Sequence, residues 1–165
     1  PGTPAGVTVD KNGCPLDSDG DGVPDYLDKC PDTPRGTAVD ANGCPPSVTL
    51  DNIYFDFNKA TLTDAAKDSL NKNISTMKDN PGVTIRIAGH ACAHGPEDYN
   101  LRMSELRANA VKEYFVTEGG IAEERISTIA YGESRLALPE EPTPENKNSH
   151  EAQANRRVEF TVTEQ

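Results

Sequence analysis

Three side chains that can bind a metal ion are spaced by two residues in the segment GHACAHGPEDYN, residues 89–100. His90, Cys92 and His94 would project from one face of an extended strand, because side chains alternate between the faces of a strand. Imidazole nitrogen and thiolate sulfur are ligands that zinc and copper(I) accept. No fourth ligand is evident, and Gly95-Pro96 bends the chain directly afterwards. A His-x-Cys-x-His metal site is therefore one hypothesis, and a pocket for another ligand is the one we favour.

A second cluster consists of acids in LDSDGDGVPDYLDKC, residues 16–30. With Asp17 as position 1, acids occupy positions 1, 3, 5, 9 and 12, a glycine takes position 6 and a valine carbonyl takes position 7. This is the ligand spacing of an EF-hand-type calcium loop, with Asp in place of the last Glu. The alternative is a solvated acidic linker. The predicted calcium ligands are Asp17, Asp19, Asp21, Val23, Asp25 and Asp28.

An internal repeat surrounds this acidic segment. PGTPAGVTVDKNGCP, residues 1–15, and PDTPRGTAVDANGCP, residues 31–45, share ten of fifteen positions at an offset of 30. The second copy is bounded by Cys30 and Cys44, whereas the first has only its closing cysteine, Cys14. The repeat therefore predicts a Cys30–Cys44 disulfide and an oxidising compartment. Four free thiols in a cytosolic protein are the alternative.

Composition narrows the possible partners. The 165 residues carry a formal net charge of −11, and 35% of them are hydrophobic. Such a charge repels phosphate backbones and anionic lipid, so we expect no nucleic-acid binding. No apolar run approaches the roughly 20 residues that a membrane helix needs. The chain begins inside a repeat, which suggests a fragment of a longer protein.

The strands and helices that would position these residues can be predicted from the sequence that follows the Pro-Pro pair at 45–46. Residues 48–57, 83–90, 125–131 and 156–163 are rich in β-formers and predict four strands. Residues 63–80 and 97–118 predict helices, the first capped by Thr63 and the second burying Leu106, Ala110 and Tyr114. The polar, proline-rich stretch 133–154 predicts an exposed loop. The fold class is α/β (an α+β two-layer sandwich), with a small mixed four-stranded sheet, element order β-α-β-α-β-β, two main helices and an irregular calcium-binding segment before it.

Four ordered motifs in this second region resemble one family. "YFDFNKATLT", "IAGH…GPEDYNLRMSELRANAVKEYF", "YGES" and "NRRVEF" are similar to the C-terminal domain of the outer membrane protein A family, across nearly all of residues 48–163. The acidic region resembles a thrombospondin type 3 repeat and implies structural calcium. The resemblances divide the chain into a calcium-binding segment, residues 1–46, and a peptidoglycan-binding domain, residues 47–165.

The family resemblance implies a binding site for the diaminopimelate of the peptidoglycan peptide stem. It places the family's carboxylate-binding arginine at Arg107, and two asparagines of the site at Asn58 and Asn100. Where the family usually reads Gly-His-Thr-Asp, this chain has Cys92 in place of the aspartate that accepts the ligand's ammonium. The loss of one charge-assisted hydrogen bond removes on the order of 1.5–3 kcal/mol. Glu97 or Asp98 could supply a substitute acid.

The resulting expectation is a non-catalytic module that anchors the bacterial outer membrane to peptidoglycan, on the periplasmic face, through a calcium-stiffened spacer. The membrane itself would be reached through a missing N-terminal region, a barrel or a lipid anchor. One alternative is an interaction domain that has lost wall binding because of Cys92, and another is the His-x-Cys-x-His metal site. No catalytic triad, phosphate loop or paired catalytic carboxylates supports an enzyme. The sequence does not give the oligomeric state.

Overall fold

A computed structural model of the chain describes residues 3–45 and 48–164. The chain divides into two compact units between Val48 and Thr49. Among the described residues, no helix has both the length and the apolarity needed to cross a lipid bilayer.

The second unit has the predicted order of elements, with one short helix added. Its strands are β1 (Ile53–Tyr54), β2 (Thr84–Gly89), β3 (Ile126–Ala130) and β4 (Arg157–Glu164). Its helices are α1 (Asp64–Asp79), α2 (Glu97–Thr117) and α3 (His150–Asn155), with a 3-10 turn at Glu123–Arg125. The strands lie in the order β1-β4-β2-β3, parallel between β2 and β3 and antiparallel elsewhere. The predicted mixed four-stranded α/β fold is confirmed.

Helix α1 begins where the sequence predicts it. The side chain of Thr63 accepts a hydrogen bond from the backbone N–H of Ala66 at 3.1 Å, which satisfies a donor left free by the first helical turn. The face of the helix that packs inward includes Leu70, Ile74 and Met77, all at most 6% exposed. This apolar stripe recurs every three to four residues, so burial and helical period agree.

Helix α2 buries a different face from the one that apolarity suggests. Leu106 is 48% exposed, and Ala110 and Tyr114 are only half-buried. The prediction was wrong because several polar side chains of this helix bond to buried backbone. The hydroxyl of Ser104, for example, accepts from the Gly132 N–H at 2.9 Å. The buried face consists of Asn100, Ser104, Arg107, Ala108, Val111 and Phe115.

The predicted exposed loop at 133–154 is also partly wrong. It ends in α3, which Ser149 caps and in which Ala152 is fully buried. The Asn155 side chain accepts from the N–H groups of Ala137 and Leu138 and donates to the Leu138 carbonyl. A single buried amide thereby replaces the backbone pairing that the segment lacks, so a polar stretch can pack. The first strand, predicted over 48–57, is reduced to Ile53–Tyr54.

The first unit is built from turns, with one isolated β-bridge between Val9 and Pro15 among the described residues. The two copies of the repeat fold alike. Asp10 accepts hydrogen bonds from the N–H groups of Asn12 and Cys14, and Asp40 accepts from those of Asn42 and Cys44. The predicted disulfide joins Cys30 to Cys44, and Cys14 and Cys92 are free. The bridge closes a loop in a segment that has little apolar core of its own.

Candidate functional site

Arg107 lies at the centre of the second unit and is 1% exposed. Its guanidinium donates to three backbone carbonyls: those of Lys59 at 2.9 Å, His90 at 3.1 Å and Asp56 at 3.3 Å. These bonds fix the turn at 56–59 against the end of β2. Among the described residues, no acid lies within ion-pair distance of Arg107.

The guanidinium is therefore a buried cation without a counter-charge. Burial lowers its pKa to about 10, and the neighbouring Cys92 sulfur opposes part of that effect. The group stays protonated at neutral pH. A guanidinium has five N–H donors, of which the carbonyls use three, one on each nitrogen. By this count one N–H donor remains on each terminal nitrogen, and a carboxylate can accept from two nitrogens of a guanidinium at once.

A small cleft brings the four predicted binding residues together. Asn58, Cys92, Asn100 and Arg107 all line it. Asn58 has a left-handed backbone, with φ of 58°, which asparagine tolerates better than most residues. The Asn100 side chain donates to the Gly95 carbonyl at 3.2 Å. The other lining residues are Phe57, Ala91, His94, Tyr99 and Met103.

The cleft is nearly closed. Its volume is about 10 Å³, which is room for about one water molecule. Glu97 and Asp98, the suggested substitute acids, are exposed in the first turn of α2 and do not line it. The tip of Tyr99 and the flexible Met103 side chain are the parts of the lining that can most easily move aside.

The structure brings together only two of the three spaced metal ligands. Cys92 and His94 meet Glu140, and the ligand atoms of these three lie within 4.8 Å of one another. His90 is not part of this group of ligand atoms, because β2 ends at Gly89 and residues 90–94 do not continue the strand. Strand alternation therefore does not carry through residues 90–94.

His90 instead packs against the sheet. Its ring stacks on Tyr131 with 5.4 Å between centroids, and its Nε2 lies 3.6 Å from a carboxylate oxygen of Glu159. Burial, aided by the charge of Arg157, lowers the pKa of His90 from 6.5 to about 4, although Glu159 acts in the opposite direction. The ring is therefore neutral at neutral pH, which suits a packing role.

Sequence reasoning missed three residues beside the cleft: Glu140, Asn146 and Asn155. The Glu140 carboxylate, 3% exposed, accepts from Asn155 Nδ2 and from the Ala93 N–H. Asn146 Oδ1 lies 2.8 Å from Nε2 of His94. The only sequence signal was the unusual run LPEEPTPENKNSH itself. Its approach to residues 92–94 depends on tertiary packing that no local pattern encodes.

In the first unit, three of the five predicted acidic calcium ligands converge. Carboxylate oxygens of Asp17, Asp19 and Asp21 lie within 4.8 Å of one another. Asp21 Oδ2 is buried and has no hydrogen-bond partner, so the geometry fits a cation there. Asp25 instead accepts from the N–H and hydroxyl of Ser18 at 2.7 Å, and Asp28 accepts from the Cys30 N–H.

Comparison with known proteins gives matches that include the second unit. The model of the OmpA family matches residues 54–155. Outer membrane porin F of Pseudomonas aeruginosa is 40% identical over 151 residues, covering 88% of this chain and 41% of that protein. The peptidoglycan-associated lipoprotein of Legionella pneumophila is 32% identical over 108 residues, 64% of this chain and 56% of that protein.

A solved structure shows the same fold at lower identity. The peptidoglycan-associated lipoprotein from Burkholderia pseudomallei superimposes with a TM-score of 0.60 and 22% identity, over 67% of this chain and 88% of that one. The chain spans less than half the length of several curated relatives that it matches, 41%, 33% and 30% in three of them.

Proposed function

The chain belongs to the OmpA family, and on this premise we propose that its second unit is a non-catalytic module that binds the peptide stems of peptidoglycan. The ligand group is the carboxylate of diaminopimelate. The observation that carries the proposal is the buried Arg107 guanidinium, which lacks an acidic partner and keeps two donors for one. A buried charge of this kind is stabilised by a ligand of opposite charge.

The surrounding side chains support this assignment. Asn58 and Asn100 line the same cleft and offer amides for the polar parts of the ligand, and three carbonyls hold the guanidinium in place before the ligand arrives. A preorganised fork loses little rotamer entropy on binding. Because the cleft holds only about one water, ligand entry requires Tyr99 or Met103 to move.

At the level of the cell, the module would anchor the outer membrane to the wall from its periplasmic face. Relatives named as an outer membrane porin and a peptidoglycan-associated lipoprotein support this role. The disulfide between Cys30 and Cys44 fits an oxidising compartment. Attachment to the membrane would come from a region outside this chain.

The first unit would serve as a calcium-stiffened spacer of the thrombospondin type 3 kind. Asp17, Asp19 and Asp21 are the ligands whose present positions fit the ion. The loop spacing adds the Val23 carbonyl as a further oxygen. Asp25 and Asp28 lie outside the converging group, so they would have to approach it to join the calcium shell. Calcium accepts six to eight oxygens, so water would complete the shell.

Calorimetric titration with a diaminopimelate-containing muropeptide tests the binding proposal. Arg107→Lys keeps a positive charge but loses the planar fork, and we expect binding to fall at least about tenfold. Arg102→Lys changes an exposed arginine of the same helix and is the matched control. Equal affinity of the two variants, each checked by its melting curve, would refute the role of Arg107.

A second candidate function is an interaction domain that does not bind the wall. Cys92 favours it, because a buried thiol replaces the family's ammonium-binding acid. Sedimentation with insoluble peptidoglycan separates the two functions. Protein that stays in the supernatant under all ionic conditions supports the interaction domain.

A further inference from the structure

We propose that Cys92, His94 and Glu140 form a binding site for a divalent transition-metal ion, with zinc as the best match. One sulfur, one ring nitrogen and one carboxylate oxygen lie within 4.8 Å of one another. The residues come from two segments about fifty positions apart, so the fold assembles the group. The site differs from the His-x-Cys-x-His hypothesis because Glu140 takes the place of His90.

The hydrogen-bonding role of Nε2, the outer ring nitrogen of His94, is fixed by its partners. Nε2 faces two acceptors, the Thr143 carbonyl at 3.1 Å and Asn146 Oδ1 at 2.8 Å. The Asn146 amide cannot be reversed without losing bonds, because its Oδ1 accepts from the Thr143 N–H and its Nδ2 donates to the Glu141 carbonyl. Nε2 must therefore carry the proton. Metal-binding histidines commonly donate their second N–H to a carbonyl in this way.

With Nε2 engaged as a donor, Nδ1 is the ring nitrogen that faces the cluster and would bind the ion. His94 Nδ1 and Glu140 Oε2 are 3.2 Å apart, and both are buried without a hydrogen-bond partner. The short distance without hydrogen-bond alignment is the arrangement expected when both atoms face a common third centre. Two ligands of a tetrahedral zinc ion at about 2.0–2.2 Å lie about 3.3–3.6 Å apart, and the 3.2 Å of this pair is close to that range.

The donor set and its charge also suit zinc. Sulfur and imidazole ligands exclude calcium and magnesium, which prefer oxygen. A thiolate and a carboxylate together neutralise a divalent ion, so the buried complex would carry no net charge beside the Arg107 cation. Cys92 is 4% exposed, and its position in the cleft lining places the ion at the edge of that cleft. Three protein ligands leave one coordination position for water or ligand.

Zinc and cobalt(II) titrations of the chelator-treated protein test this site. Excess calcium is added first to occupy oxygen-ligand sites, and Cys92 is kept reduced. We expect one tightly bound zinc per chain, and a thiolate-to-cobalt charge-transfer band with cobalt. The band should persist in Cys14→Ser, since Cys14 is the only other free cysteine. Absence of the band in Cys14→Ser would overturn the proposal without any need for a ligand variant.

Ligand variants then identify the residues. Cys92→Ser, His94→Gln and Glu140→Gln should each lose the zinc equivalent, whereas the matched control His150→Gln, an exposed histidine, should keep it. Asn146→Ala should weaken zinc binding about tenfold to a hundredfold by releasing the His94 ring. Retention of full zinc affinity by folded Glu140→Gln or Asn146→Ala would refute the assigned geometry. If the unmodified protein binds no zinc, the metal site is overturned and His94 and Glu140 form only an ion pair.

Discussion

A buried arginine can hold a fold and bind a ligand with the same guanidinium, and Arg107 has the geometry for both. Its three carbonyl bonds join the 56–59 turn to the end of β2, while two donors stay free. Full truncation therefore tests the fold rather than the ligand site. We expect Arg107→Ala to lose on the order of 3 kcal/mol of unfolding free energy, because several buried carbonyls lose their donor at once. A melting curve like that of the unmodified protein would contradict this.

Position 92 tests the ammonium-binding part of the proposed ligand site. Cys92→Asp restores the acid usual in the family, and in metal-free protein we expect muropeptide affinity to rise by about one to two powers of ten. Cys92→Ser, of similar size and without charge, is the control and should leave affinity nearly unchanged. If calorimetry finds no gain for Cys92→Asp, either another acid such as Glu140, whose carboxylate lies within 4.8 Å of the sulfur, supplies the charge or the cleft binds a different ligand.

His90 makes the second unit sensitive to acid. Its pKa is 6.5 in the unfolded chain and about 4 in the fold, so the unfolded chain takes up the proton first as the pH falls. The loss of unfolding free energy that His90 causes is small above about pH 6.5 and reaches on the order of 3 kcal/mol at pH 4. Denaturant unfolding between pH 7 and 4 should show a smaller loss in His90→Gln than in the unmodified protein. His150→Gln, an exposed control, should retain the full loss.

At the scale of elements, the parts that the sequence predicted well are those governed by local rules. Thr63 caps α1, an apolar stripe follows it, and the 30-residue repeat reproduces the turns at Asp10 and Asp40. The parts that failed depend on polar burial. Apolarity selected Leu106 as the buried residue of α2, whereas the neighbouring Arg107 is buried by bonds to distant carbonyls. No periodicity in the sequence reports such bonds.

The cap of α1 offers a quantitative test of the local rules. Thr63→Ala leaves the Ala66 N–H without its acceptor and should lower the unfolding free energy by about 1 kcal/mol. Thr63→Ser keeps the hydroxyl and should change the unfolding free energy by only about a few tenths of a kcal/mol. Denaturant melts of the two variants give the comparison. Equal stabilities would show that the hydroxyl does not cap the helix in solution.

The acidic element of the first unit should respond to calcium. Ion binding would tie Asp17, Asp19 and Asp21 together, so calcium should slow proteolysis within residues 3–45 relative to chelated protein. Asp21→Asn should abolish this protection because it alters the buried, unpartnered oxygen. Asp32→Asn, which changes an exposed acid outside the cluster, is the control. Identical digestion with calcium and with chelator would exclude a structural calcium site.

At the scale of the whole molecule, the net negative charge disfavours the binding of an anionic ligand, which is the proposed function. A net charge of −11 repels a carboxylate-rich peptide stem, whereas Arg107 attracts it from inside a cleft. Salt screens exposed charges with a Debye length of about 8 Å at physiological ionic strength, but it screens a buried contact much less. Added salt should therefore remove more repulsion than attraction.

Binding to peptidoglycan should accordingly hold constant or strengthen as sodium chloride rises from about 0.01 to 0.15 M, over which the Debye length falls from about 30 to 8 Å. Sedimentation with insoluble peptidoglycan at several salt concentrations measures this, with Arg107→Lys as the variant that should stay weak throughout. A protein that binds through an exposed basic patch shows the opposite trend, with affinity falling as salt rises. A steep fall here would mean that surface charge, and not the buried guanidinium, holds the wall.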